Sequence, residues 1–191
     1  FKYESDETTH FSIMDNEGRV VVSTQTINGY FGSSVVAGKT GIVMNNEMDD
    51  FATKVGASNL FGAIGGKNNL VSPKKRPLSS MSPTIVLAKD SKRPLLALGT
   101  PSGTRILTCV MQTILNYLEY GFDIYDSVAL KRYHHQWRPN YIRVEGSGFS
   151  KELERSLKSM GHNIKNQNLG CRVQAIEYKK GTLTGVSDPR G

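Results

Sequence analysis

The 191-residue sequence has only two cysteines, and Cys109 and Cys171 show no Cys-x-x-Cys spacing, so they are read as two free thiols rather than a metal or disulfide framework. No apolar run approaches the roughly 18 residues that a membrane span needs, so no membrane contact is expected from this segment. The opening FKYESDE has neither an initiator Met nor an apolar signal region; any targeting signal is expected outside this segment. Internal repeats and low-complexity tracts are also missing. Residues 62–67, GAIGGK, lack the Gly-four-residues-Gly-Lys-Ser/Thr spacing of a phosphate loop. His134-His135 has no evident third ligand, which favours a packed or surface pair over a metal site.

What is present fits one globular domain with a sizeable core, at 38% hydrophobic and 21% charged residues. The formal charge of +7 is uneven. Residues 1–60 carry 4 Lys/Arg against 8 Asp/Glu, and the remainder carries 20 against 9. The positives are scattered apart from Pro73-Lys74-Lys75-Arg76-Pro77. With no arginine-rich helix, zinc-finger spacing or RNP-like motif, they suit a solvated face or a surface meeting an acidic subunit rather than nucleic acid.

Residues 9–14 and 19–26 read as a hairpin turning at Asp15-Asn16-Glu17-Gly18, and a short strand is expected near 41–44. Residues 54–80, rich in Gly, Asn, Ser and Pro, read as a long functional loop, a candidate lid. A second hairpin joins 84–88 to 94–98. Leu107, Val110, Met111, Ile114, Leu115 and Leu118 repeat at helical spacing, predicting a helix over about 103–120 that buries that face and stops at Gly121. A short helix follows Asp123 as cap. Another runs from the N-cap Ser150 to Met160 with Gly161 as stop signal. Residues 172–178 and 182–186 form a last hairpin. Hairpins at both ends with helices between predict an α+β layered architecture.

Thr8-Thr9 heads the first strand. A threonine there becomes a nucleophile, with its own α-amine as general base, once the preceding peptide bond is cut. Attack of the Thr8 hydroxyl on the Glu7 carbonyl, then ester hydrolysis, would free that amine, whose ordinary pKa is about 7.7 to 8.0. Residues 1–7 would then be the tail of another subunit or a propiece, and 8–191 the functional chain. On the dipeptide alone, two ordinary β-formers opening a strand is the favoured reading, and the context must carry the nucleophile. Asn45-Asn46-Glu47-Met48-Asp49-Asp50-Phe51 gathers three carboxylates suited to an ammonium group, or to a solvated turn; the Ca-loop pattern is absent. Arg76 to Pro83 offers Ser79 and Ser80 hydroxyls between stiffening prolines, suited to a carboxylate or to a plain connecting loop. Gly99-Thr100-Pro101-Ser102-Gly103 precedes the long helix, where unpaired N–H groups can stabilise an oxyanion or simply form a tight turn.

In this order the motifs TTHFS, NNEMDDF, KRPLSSMSPT and RYHHQW closely resemble the small subunit of γ-glutamyltransferase (γ-glutamyltranspeptidase, glutathione hydrolase), an N-terminal-nucleophile hydrolase. The resemblance runs from Thr8 to Arg190. It implies a four-layer α/β/β/α sandwich completed by a large subunit from the same precursor, with no metal or organic cofactor. It implies Thr8 as nucleophile for self-cleavage and γ-glutamyl transfer, with the Thr26 hydroxyl bonded to it. Asn28, Glu47 and Asp50 would hold the glutamyl α-amino group, and Ser79 and Ser80 its α-carboxylate. The N–H groups of Ser102 and Gly103 would form the oxyanion hole, and Phe61 would lie on the lid. The implied substrates are glutathione and related γ-glutamyl compounds, with water, amino acids or peptides as acceptors. Poly-γ-glutamate or another amide is the enzymatic alternative, and an uncleaved scaffold the non-enzymatic one. The family usually has Gly-Gly where this chain has Ser102-Gly103, and many bacterial relatives have a tyrosine in place of Phe61. Bacterial relatives are mostly periplasmic or secreted and animal ones anchored on the cell exterior, so a periplasmic or secreted location is expected.

Overall fold

The computed structural model describes residues 8–191. The expected scission at Glu7-Thr8 and the assignment of residues 1–7 lie outside the described residues.

Strands β1 (Thr9–Met14) and β2 (Val20–Gln25) pair antiparallel, Thr9 opposite Gln25 and Met14 opposite Val20. Their turn closes because the Asp15 carboxylate accepts the N–H groups of Glu17 and Arg19 at 3.0 and 2.9 Å, and Gly18 takes φ +87°. Next come β3 (Thr84–Leu87), β4 (Pro94–Gly99), α1 (Ile106–Leu118) and α2 (Ile124–Ala129). They are followed by β5 (Tyr133–His134), β6 (Ile142–Val144), α3 (Lys151–Ser159), β7 (Ile164–Asn166), β8 (Gln174–Lys179) and β9 (Thr182–Ser187). The main sheet has the order β3-β4-β8-β9, antiparallel throughout.

Strand β4 is central and covered on both faces, which explains its near-continuous burial. Leu96 and Leu98 pack with Ala175, Ile106, Val110, Ile124 and Val128, so one face carries α1 and α2. The opposite face meets the β1–β2 hairpin, where the His10 ring lies so close to Gly99 that a Cβ there would overlap it. The described chain therefore contributes a helix layer, a four-stranded sheet and two strands of a second sheet. The α+β class stands.

Several expectations change. Cys109 and Cys171 form a disulfide rather than free thiols, both wholly buried with Leu169. Nothing in a 62-residue separation announces the pair; folding brings the chain around Cys171 back against α1. In the loop-closure picture a bridge of that span stabilises by about 4 kcal/mol. Helix α1 is preceded by a 3-10 turn over Gly103–Arg105, and its apolar residues split between two faces. Ile106, Val110 and, partly, Ile114 meet the sheet, whereas Leu107, Met111, Leu115 and Leu118 are exposed. Residues 41–44 provide one bridge, Val36 with Val43, not a strand. The small sheet β5-β6-β7, with β6 and β7 parallel, went unforeseen because strands of two or three residues carry no readable alternation. The caps at Asp123 and Ser150 form as expected, accepting the N–H groups of Asp126 and Leu153.

Candidate active site

Extending the β1–β2 register one step past Thr9 and Gln25 sets Thr8 opposite Thr26, and the Thr8 hydroxyl donates to Thr26 Oγ1 at 3.1 Å. The same oxygen accepts the Asn28 N–H at 2.9 Å. Asn28 sits at φ +76°, a conformation asparagine tolerates better than most residues. Its amide nitrogen donates to Asp50 Oδ1 at 3.2 Å and to the Asn46 carbonyl at 3.3 Å.

The acidic segment forms a 3-10 turn over Glu47–Asp50 that buries Asp50 and directs Glu47 into the same cleft. Asn59 and Asn69 donate to the Asp50 carbonyl at 3.4 and 2.8 Å, fixing the turn from behind. Asp49 is bonded to Asn46 at 2.8 Å and takes no part in the cleft. Burial first, and then the Asp50 charge and hydrogen bond, push Glu47 up to about 7. Burial also raises Asp50, partly countered by the Asn28 and Glu47 hydrogen bonds. Both carboxyl groups are thus held above the ordinary carboxylate range, and a cation bound beside them would favour their ionised forms.

Ser79, Ser80 and Gly103 complete the cleft wall. Ser79 Oγ accepts the Met81 N–H at 3.2 Å. The N–H groups of Ser102 and Gly103 have no protein acceptor among the described residues, as the first positions of a helical turn commonly do not. The Ser102 side chain is absent from the cleft lining. It points into the interior, with φ +116° at Ser102 and +53° at Gly103.

Phe61 rides on a turn pinned by Asn59, whose Oδ1 accepts the N–H groups of Phe61 and Ala63, each at 3.0 Å. Its ring lies over Gly103, and it also lines a larger cavity with Trp137, Arg138, Tyr141 and Lys165. Residues 54–80 are tied to the body, through Ala52 N–H to the Asn69 carbonyl at 2.9 Å among others.

The structure thus brings Thr8, Thr26, Asn28, Glu47, Asp50, Phe61, Ser79, Ser80 and Gly103 around one cleft, leaving only Ser102 with its side chain outside. Sequence reasoning missed Asn59, which lines the cleft and holds Phe61. Its only sequence signal is an Asn three residues before Gly62, the chemistry of an Asx turn. His134 is packed, with Thr108 Oγ1 and Gln136 Oε1 each 2.8 Å from its ring nitrogens. Among the described residues no group of three or more His, Cys, Asp or Glu is placed to hold a metal ion.

The Gamma-glutamyltranspeptidase family profile matches residues 2–191. The glutathione hydrolase proenzyme of Escherichia coli (strain K12) is 44% identical over 189 residues, covering 98% of this chain and 32% of the relative, so the chain spans about a third of that protein's length. Among solved structures, an acivicin-inhibited gamma-glutamyltranspeptidase superposes with a TM-score of 0.88 at 40% identity, covering 95% of this chain and 98% of the other. A Helicobacter pylori gamma-glutamyltranspeptidase variant gives a TM-score of 0.89 at 41% identity, covering 96% and 100%. On the match along nearly its whole length, the chain belongs to the gamma-glutamyltranspeptidase family.

Proposed function

We propose that this chain is the nucleophile-bearing part of an enzyme that cleaves the γ-glutamyl amide of glutathione and related compounds and passes the acyl group to water or to amino acid and peptide acceptors. The observation that carries the reading is the Thr8–Thr26 hydroxyl pair lining the same cleft as the carboxylates of Glu47 and Asp50. A nucleophile and an ammonium-binding carboxylate pair in one cleft match the two ends of a γ-glutamyl group.

In the proposed sequence, Thr8 Oγ attacks the Glu7 carbonyl, the acyl group moves from nitrogen to oxygen and so frees the Thr8 amine, and water then hydrolyses the ester to release the Thr8 hydroxyl and the Glu7 carboxylate. That amine then takes the proton from Oγ as Oγ attacks the γ-carbonyl, while the N–H groups at Ser102 and Gly103 receive the developing oxyanion. Collapse breaks the amide bond. The leaving amine of cysteinylglycine takes the proton, and water or an acceptor amine attacks the remaining γ-glutamyl ester. Asn28, Glu47 and Asp50 hold the substrate ammonium, while Ser79 and Ser80 hold its α-carboxylate. A large subunit from the same precursor would complete the pocket. Phe61, between the cleft and the larger cavity, would separate the glutamyl group from the leaving or entering amine.

A periplasmic or secreted location is part of the proposal, supported by the buried Cys109–Cys171 disulfide, a bond that persists in oxidising compartments. The test is N-terminal sequencing of the mature small chain together with release of p-nitroaniline from γ-glutamyl-p-nitroanilide. A mature chain starting at Thr8 and saturable release support the proposal; an intact Glu7-Thr8 bond after prolonged incubation favours the scaffold, and preference for trimming poly-γ-glutamate favours that substrate.

A further inference from the structure

Ser102 occupies a turn whose φ of +116° and ψ of 41° suit glycine, yet it carries a side chain that is wholly engaged. Its hydroxyl donates to the Leu169 carbonyl at 2.5 Å and accepts Arg105 Nε–H at 2.9 Å, all three residues being buried. Those bonds use the single proton and a lone pair of the hydroxyl. Two residues earlier, Thr100 Oγ1 accepts the Arg172 N–H at 2.8 Å. The segment from Leu169 to Arg172 thus grips the turn at both ends, and that segment is itself fastened to α1 through the Cys109–Cys171 disulfide.

From this geometry we infer that the Ser102 hydroxyl is a positioning group for the oxyanion site, and that the disulfide acts through it. The peptide plane between Ser102 and Gly103 sets where the Gly103 N–H points. One backbone bond acts on that plane, the Arg105 N–H donating to the Ser102 carbonyl at 3.1 Å. In this chain a side-chain clamp adds a second constraint: Leu169 anchors Ser102 Oγ, Arg105 Nε holds it from the following turn, and the disulfide fastens the Leu169 segment to the helix. The inference rests on the proposed acyl-transfer reading. Misplacing a reacting group by about 1 Å can cost about a hundredfold in rate, so loosening the turn should cost rate while leaving recognition of the glutamyl end intact.

The experiment uses the full-length proenzyme carrying Ser102→Ala, Ser102→Gly or Cys109→Ala with Cys171→Ala, with kcat and KM measured on γ-glutamyl-p-nitroanilide. Ser102→Ala keeps the strained backbone and loses the clamp, so kcat should fall about tenfold or more with KM within about twofold of wild type. Ser102→Gly loses the clamp but relieves the backbone, so its kcat should lie between the other two. The double cysteine variant should lower kcat in the same direction, and adding Ser102→Ala to it should cost far less than in wild type, because both changes release one device. If the cysteine variant does not fold, the two Ser102 variants decide alone. A kcat within about twofold of wild type in both, or a rise in KM at unchanged kcat, overturns the inference. Wild-type enzyme that releases no p-nitroaniline overturns the functional reading itself, and this inference with it.

Discussion

Thr8 and Thr26 face each other across the mouth of the β1–β2 hairpin with their hydroxyl oxygens 3.1 Å apart, and Thr26 is held in turn by the Asn28 N–H. Thr8, the proposed nucleophile, is thus oriented by a hydroxyl that cannot rotate away without giving up a second bond. Thr8→Ala should leave one uncut polypeptide without transferase activity. Thr26→Ala should slow both processing and turnover by about tenfold to a hundredfold without unfolding the domain, and Thr26→Ser should stay near wild type. Gel analysis of precursor cleavage and p-nitroaniline release check these; full processing of the Thr8 variant counts against the assignment.

The Glu47–Asp50 pair predicts a pH dependence in recognition. Glu47 titrates near 7, raised by burial first and then by Asp50, against an ordinary value of 4.5. Between those values the folded chain retains a proton that the unfolded chain has released. The stability from this group is therefore full below about 4.5 and is lost as pH rises through about 7. Ammonium binding runs the other way, because it needs the carboxylate. The donor KM should fall as pH rises through about 7, and Glu47→Gln should raise KM and flatten that step. A profile identical in wild type and variant would remove Glu47 from recognition.

The His10 ring of the hairpin lies against Gly99 of the main sheet, where an added Cβ would overlap it. Gly99→Ala should destabilise by about 1 to 3 kcal/mol, as overpacking does, seen as a lower melting temperature. Burial also pushes His10 down to about 4, with Thr24 Oγ1 and Ser12 Oγ at 2.8 and 2.9 Å from its ring nitrogens. His134 is lowered to about 4 by burial first, with Arg143 and Arg105 adding to the shift. A base with a depressed folded pKa contributes stability above its ordinary 6.5 that is lost as pH falls through 4. Glu47, raised by as much as each histidine is lowered, pulls the opposite way in that window, so the test is the difference between wild type and His10→Gln: on acidification from pH 7 to about pH 5 the wild-type urea midpoint should fall further, or rise less, than that of the variant.

Asp188 and Arg132 form a buried ion pair at 2.7 Å, and Asp188 also accepts the Val173 N–H at 2.9 Å and Arg190 Nη1 at 2.9 Å. Burial alone would raise the Asp188 carboxyl, but Arg132, the Val173 N–H and Arg190 together hold it below its ordinary value. Asp188→Ala strands the Arg132 charge in the interior and should cost about 3 to 5 kcal/mol in denaturant unfolding. A loss under about 1 kcal/mol would show that water reaches Arg132.

Much of this molecule was legible from residues alone because its signals are local. The β1–β2 hairpin follows from β-branched runs around Asp15-Asn16-Glu17-Gly18, and the caps at Asp123 and Ser150 from side chains that reach their own backbone. The cleft residues were readable because Thr8, the carboxylates at 47 and 50, and the Ser79-Ser80 pair carry chemistry that strands and turns rarely need, and their order matches one family. Tertiary structure decided what depends on distant partners. Cys109 and Cys171 become a disulfide only because the segment containing Leu169 folds back on α1. The buried face of α1 is set by what packs against it, so Leu107 and Met111, identical in pattern to core residues, face outward while Gln112 and Thr113 are buried. Ser102 reads as a departure from a glycine pair in the chain, and as a clamped hydroxyl once Leu169 and Arg105 stand beside it. Periodicity and turn chemistry act over a few residues; pairings across dozens are chosen by burial and hydrogen bonding in three dimensions.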